Sequence, residues 1–119
     1  VTDVREDPKG TNGNDTLFGD AMDNVVNGRK GNDKLSGREG ADTFVFGKAY
    51  GKDVIQDFDR TEGDVIDLSK AVGIDSFRDL KANHASEAGG NIRIETADGA
   101  VLTISDIDLS DLTKDMFHF

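Results

Sequence analysis

From Gly10 onward the apolar positions recur at intervals of nine: Leu17, Val26, Leu35 and Phe44 each stand at the centre of a three-residue run, and the six residues between runs are polar or glycine except for Ala21, Met22 and Ala41. A period of nine fits neither a helix nor a continuous strand, whose apolar faces repeat every 3.6 and 2 residues. It fits a unit made of one tight turn and one very short strand, repeated and stacked. Four rows follow: Gly10-Thr11-Asn12-Gly13-Asn14-Asp15-Thr16-Leu17-Phe18, Gly19-Asp20-Ala21-Met22-Asp23-Asn24-Val25-Val26-Asn27, Gly28-Arg29-Lys30-Gly31-Asn32-Asp33-Lys34-Leu35-Ser36 and Gly37-Arg38-Glu39-Gly40-Ala41-Asp42-Thr43-Phe44-Val45. Position one is always Gly, position six reads Asp15, Asn24, Asp33, Asp42, and position eight is always apolar. Gly at positions one and four allows the positive backbone dihedrals of a tight turn.

Successive strands reverse direction, so rows one and three are expected on one side of the stack and rows two and four on the other. Only the middle residue of each strand points inward. The position-six side chains then stack across a gap between same-side turns, where bare carboxylates repel each other. Strands of three residues do not hold themselves together. A hard divalent cation bound by carboxylates from two turns and by backbone carbonyls between them answers both problems, and Ca²⁺, with six to eight irregularly placed oxygens, suits the gap better than Mg²⁺. Asp15 with Asp33 is the stronger pairing. Asn24 with Asp42 carries less charge unless Asp20 or Asp23 compensates, and Asp33 and Asp42 can share ions with acids of the 53–64 segment.

After Asp64 the pattern changes. Ser76 to Asn83 predicts a short helix capped by Asp75 or Ser76, with Phe77 and Leu80 facing inward. Asn91 to Glu95 alternates as a strand, Asp98-Gly99 signals a hairpin, and Val101 to Ile104 supplies the return strand. This half reads as antiparallel sheet that caps the open end of the stack.

The chain has 119 residues, short enough for one domain. Of its 24 acidic residues 19 are Asp, accompanied by 14 Gly and 7 Asn, which is turn chemistry rather than helix-surface chemistry. A net charge of −10 argues against nucleic acid as partner. The absence of cysteine removes disulfides, thiolate zinc sites and cysteine nucleophiles. No apolar run approaches the length of a membrane span. No nucleophile-elbow, Walker or dinucleotide motif occurs. An EF-hand at Asp57-Phe58-Asp59 fails because Thr61 and Glu62 replace the residues its loop needs. His84 and His118 lack any metal-site spacing and read as surface residues, and no catalytic residues are expected. The chain opens on Val1, which suggests a piece of a longer or processed protein.

The rows resemble the nonapeptides of RTX proteins. Asp53-Val54-Ile55-Gln56-Asp57-Phe58 and Gly63-Asp64-Val65-Ile66-Asp67-Leu68-Ser69 look like the segment that follows the roll in serralysin-type C-terminal domains and in alginate epimerase repeat modules. The departures are position two, where Thr11, Asp20, Arg29 and Arg38 replace Gly, and row two, with Met22 for Gly and Asn24 for Asp. The resemblance implies an all-β fold: a calcium-binding parallel β-roll at 10–69, then an antiparallel β capping region with at most one short helix at 70–119, forming a single RTX-type domain. It implies several Ca²⁺ ions held by Gly10, Asn12, Gly13 and Asp15 of row one, Asn24 of row two, Gly28, Lys30, Gly31 and Asp33 of row three, and Gly37, Glu39, Gly40 and Asp42 of row four. Asp53, Asp57 and Asp64 extend the set.

It also implies a secreted, monomeric, non-catalytic module that folds on extracellular calcium and supports type I secretion, with an uncleaved export signal near Asp115-Met116-Phe117-His118-Phe119; the same residues also read as a last strand. An anionic polysaccharide such as alginate is a further expected partner. Residues 1–55 hold 8 basic and 10 acidic residues, whereas 56–119 hold 6 and 14, so the roll half turns positive once cations fill it. Arg29, Lys30, Lys34, Arg38, Lys48 and Lys52 are the candidate contacts, with Tyr50 as a stacking surface. The alternative is an export and folding domain of a serralysin-like metalloprotease, or an RTX adhesin with no glycan role.

Overall fold

Strands of three residues survive here because they stack in register into two sheets, with only the first strand of each left at an edge. The computed structural model of the chain describes residues 13–47, 50–71 and 73–119. The four rows supply β1 (Thr16–Phe18), β2 (Val25–Asn27), β3 (Lys34–Ser36) and β4 (Thr43–Val45), followed by β5 (Lys52–Ile55) and β6 (Val65–Asp67). Odd and even strands fall into two sheets, as the reversal of the rows requires. β1 pairs in parallel with β3 and β3 with β5, and on the other side β2 pairs with β4 and β4 with β6. The inward column Val26, Leu35, Phe44, Ile55 and Ile66 is fully buried, and Leu17 at the open end is partly so.

β5 and β6 continue the repeat rather than follow it. Leu35 pairs with Ile55, 20 residues on, and Phe44 with Ile66, 22 residues on, whereas Leu17 pairs with Leu35 at 18. Two-residue inserts at 46–47 and 57–58 account for the longer steps. Among the described residues the roll therefore extends to six rows, with Asp53 and Asp64 at position six of the last two.

The second half adds β7 (Ala85–Ala88), β8 (Asn91–Glu95), β9 (Val101–Ile104) and β10 (Phe117–His118). β7, β8 and β9 form the antiparallel meander expected from the hairpin signal. The antiparallel cap joins the roll through parallel pairing at two points: β9 pairs with β5, and β10 pairs with β6. Both roll sheets end in unpaired edges, and these strands satisfy them with Ile104 on Ile55 and Phe117 on Ile66. β7 was not foreseen, because Ala85-Ser86-Glu87-Ala88 carries no apolar alternation.

A short helical turn, Phe77–Asp79 running on as a π-turn over Leu80–His84, lies on this cap. Ser76 caps it by accepting the Asp79 N–H, and Leu80 is fully buried. His84 is not a free surface residue: its Nδ1 lies 2.7 Å from the Glu95 carbonyl oxygen and its Nε2 3.4 Å from Asp79. Roll and cap share one hydrophobic core, in which Leu102, Ile94 and Leu80 pack with Phe44 and Ile66. Among the described residues no helix is long and apolar enough to cross a membrane.

Candidate metal centre

From row three on, each position-six side chain reaches back to the same-side turn before it. Asp33 Oδ1 accepts the Asp15 N–H at 2.8 Å, Asp53 Oδ1 the Asp33 N–H at 2.9 Å, Asp42 Oδ1 the Asn24 N–H at 2.8 Å, and Asp64 Oδ1 the Asp42 N–H at 2.9 Å. A second ladder runs the opposite way from position five. Asn14 Oδ1 accepts the Asn32 N–H, Asn32 Oδ1 the Lys52 N–H, and Asp23 Oδ1 the Ala41 N–H, at 2.8 to 2.9 Å. Adjacent turns are thus locked in both directions. The position-five residues were missed in reading the sequence, although Asn or Asp recurs there in rows one to three.

The position-six ladder uses only one oxygen of each carboxylate. Asp33 Oδ2, Asp42 Oδ2 and Asp53 Oδ2 are buried and have no hydrogen-bond partner. Glycine makes room beside them: a Cβ on Gly28 would stand 2.5 Å from Asp33 Oδ2, and one on Gly37 would strike Asp42 Oδ2. Backbone carbonyls crowd the same gaps. A Cβ on Gly40 would lie 2.6 Å from Met22 O and one on Gly51, position four of row five, would strike Gly31 O. Gly31 and Gly40 have φ of 96° and 91°, and the position-two residues Arg29 and Arg38 adopt the left-handed φ of 61° and 64° in place of glycine. The departures at position two in rows three and four therefore leave the turn intact, at the expense of strain.

Burial is the main force on these carboxyls. It pushes Asp53 up to about 8, with the neighbouring Asp33 charge adding to it, and Asp42 up to about 6, with Asp64, Asp57 and Asp23 adding. Asp33 and Asp64 are raised for the same first reason. Orphaned acids that resist ionisation are what a buried carboxylate site looks like when nothing neutralises it. Among the described residues no three acidic or histidine side chains converge on one point. A cation in these gaps would be held by at most two carboxylates, with carbonyl oxygens completing its shell, and that donor set suits calcium.

The candidate ligands divide on these grounds. Asp33, Asp42 and Asp53 carry free buried oxygens. Asp64 has both oxygens engaged, by the Asp42 and Asp59 N–H groups, and Asp57 likewise accepts the Gly37 and Arg38 N–H groups. Asn24 is buried with Oδ1 accepting the Asp20 N–H and Nδ2 left without a partner, so row two offers a gap an amide N–H where rows three to five offer oxygen. Asp20 and Asp23 are both exposed: Asp20 accepts the Met22 N–H and Asp23 the Ala41 N–H, and the Asp23 charge is close enough to Asp42 to raise it. Asp15 is partly buried, Gly13 exposed, and Lys30 and Glu39 have exposed side chains. Gly10 and Asn12 lie outside the described residues.

Of the candidate polysaccharide contacts, Arg29, Lys30, Lys34, Arg38 and Lys52 are exposed, and Lys48 lies outside the described residues. They do not form one face. Lys34 and Lys52 sit on β3 and β5, Arg38 lies over the Phe18 ring at 4.8 Å, and Arg29 and Lys30 line a cavity with Lys70. Tyr50 is corrected: it is 2% exposed and packs on Phe46 with ring centroids 5.0 Å apart, so it is a core residue and no open stacking surface.

The comparisons agree with this geometry. The model of the RTX calcium-binding nonapeptide repeat matches residues 9–47 in four copies. No curated protein matches the chain. Among solved structures, extracellular lipase LipA from Serratia marcescens is similar in fold, with a TM-score of 0.69 at 19% identity over 92% of this chain. The chain spans only 20% of that lipase. The AlgE6R3 subunit of the Azotobacter vinelandii mannuronan C5-epimerase is similar with a TM-score of 0.56 at 26% identity, over 92% of this chain and 80% of the subunit. Residues 9–47 are RTX calcium-binding nonapeptide repeats, which bind calcium ions, and those the structure describes, 13–47, fold as part of a parallel β-roll.

Proposed function

We propose that the chain is a non-catalytic calcium-binding module of a secreted protein, and that calcium taken up outside the cell drives its folding. The carrying observation is the set of three buried, partnerless carboxylate oxygens on Asp33, Asp42 and Asp53. When bound, calcium would supply the positive charge and the electron-pair acceptor that these oxygens lack. The chain's own residues do the rest: position six presents the carboxylate, position-one and position-four glycines clear the space, and the position-five ladder holds successive turns in register. Ions that bind the folded state alone stabilise it by mass action, so folding follows the calcium concentration. A chain left unfolded at low cytosolic calcium and folded outside suits type I export, and one cooperative domain covering roll and cap suits the shared core.

Isothermal titration with calcium and with magnesium tests this reading. Calcium binding to several sites with a magnesium response at least tenfold weaker is expected; equal responses to both ions would overturn it.

A second reading, recognition of an anionic polysaccharide, is favoured by the meeting of Arg29 and Lys30 with Lys70, which lies 40 residues further along the chain.

A further inference from the structure

At the C-terminal end of the even-numbered sheet lies a cavity of about 270 Å³, walled by Asn27, Val45, Gly47 and Tyr50 and rimmed by Arg29, Lys30 and Lys70. The ion pairs among the described residues are His84 with Asp79 and Arg93 with Glu95, so none of the three cations is paired there. The acid at the end of β6, Asp67, is taken up by Ser69, whose N–H and hydroxyl it accepts at 2.9 and 2.6 Å. In a chain of net charge −10, three cations at one cavity, none of them in an ion pair and only Lys70 close enough to a carboxylate, Asp67, to help hold it below its ordinary range, are out of keeping with the rest of the surface. Arg29 stands there at a φ of 61°, where glycine would be relaxed, with its N–H fixed by Asn27 Oδ1 at 3.0 Å.

We infer that this cavity binds one acidic pyranose unit through its carboxylate, which Arg29, Lys30 and Lys70 receive, while the ring lies against Val45 and Gly47. The volume decides for a sugar unit over a free carboxylate: it far exceeds a carboxylate group and falls below the range of drug-sized sites. An arginine and two lysines offer donors and charge to one anionic group, and the apolar wall suits a ring face. The inference deepens the polysaccharide reading and rests on the calcium reading only in that calcium steadies the row-three turn bearing Arg29 and Lys30.

The test is titration of the folded chain in calcium with trigalacturonate, maltotriose and acetate, with circular dichroism recorded on every sample. Saturable binding of trigalacturonate alone is expected, weakened at least tenfold by Lys70→Gln and by Arg29→Gly with the spectrum unchanged. Arg29→Gly removes the charge while relieving the strained backbone, so its loss of binding cannot be laid to misfolding. Equal binding of acetate would overturn the sugar assignment, and undiminished binding in both variants, or no binding by a chain shown to be folded, would overturn the pocket. Binding that persists in chelator with an unchanged spectrum would count against the calcium reading and leave the pocket in place.

Discussion

Replacing Asp53 by Asn should shift stability in opposite directions with and without calcium. Asp53 is 1% exposed; Oδ1 accepts the Asp33 N–H and Oδ2 has no partner. With no cation its carboxyl is held at about 8, above the value it has in the unfolded chain. The stability linked to this group is therefore present in acid, below the ordinary carboxylate range, and is lost as pH rises through about 8. At neutral pH the opposition amounts to at most about 4 kcal/mol, and on the order of 2 kcal/mol after allowance for solvent screening. Asn keeps the shape and the Oδ1 acceptor and cannot ionise. In chelator at pH 7 the variant should be more stable by about 2 kcal/mol, a gain that disappears near pH 4. In calcium at a hundredfold excess over its dissociation constant, losing one bound ion should cost about 3 kcal/mol. Circular dichroism reads both arms, with urea unfolding in calcium and trimethylamine oxide refolding in chelator. A shift of the same sign in both arms would refute the assignment of Asp53 as a cation ligand.

Asn24→Asp converts the partnerless amide of row two into a carboxylate, and the calcium midpoint of the weakest site should fall about tenfold, roughly 1.4 kcal/mol; an unchanged titration would mean that rows two and four hold no ion. Asp53 at about 8 and Asp42 at about 6 must release protons to take a cation, so the calcium concentration for half-folding should rise as pH falls from 8 to 6, by up to about tenfold per pH unit; a pH-independent midpoint would contradict it. Gly28→Ala puts a methyl group against Asp33 Oδ2 and should destabilise the calcium-bound roll by about 1–3 kcal/mol, measured by urea unfolding. Leu102→Ala, in the cap, should cost about 2–5 kcal/mol and lower the unfolding of the roll with it, read by amide exchange at Leu35 and Phe44; two separate transitions would show that roll and cap are independent.

The roll was legible because its signal is periodic. The apolar eighth column and the position-six acids needed only alignment of four rows, and the even and odd sheets followed from the reversal of each strand. The two-residue inserts at 46–47 and 57–58 broke that alignment, so Ile55, Ile66, Asp53 and Asp64 could be named but not registered until hydrogen bonds at separations of 20 and 22 fixed them. The roles of Asp57 and Asp64 were blurred because sequence does not tell a carboxylate that accepts two backbone N–H groups from one left with a bare oxygen. Tyr50 was misread since a lone aromatic among lysines carries no periodicity to say which way it faces; the packing of Phe46 decides it. The docking of β9 on β5, of β10 on β6 and of Lys70 beside Arg29 depends on where distant segments meet, which is a property of the assembled core and not of any local pattern.

The central claim is tested most directly by the far-UV circular dichroism of the unaltered chain at pH 7 in calcium and in excess chelator. A β-sheet spectrum with calcium that collapses on chelation and returns on restoring calcium is predicted. The same folded spectrum in both conditions would contradict it.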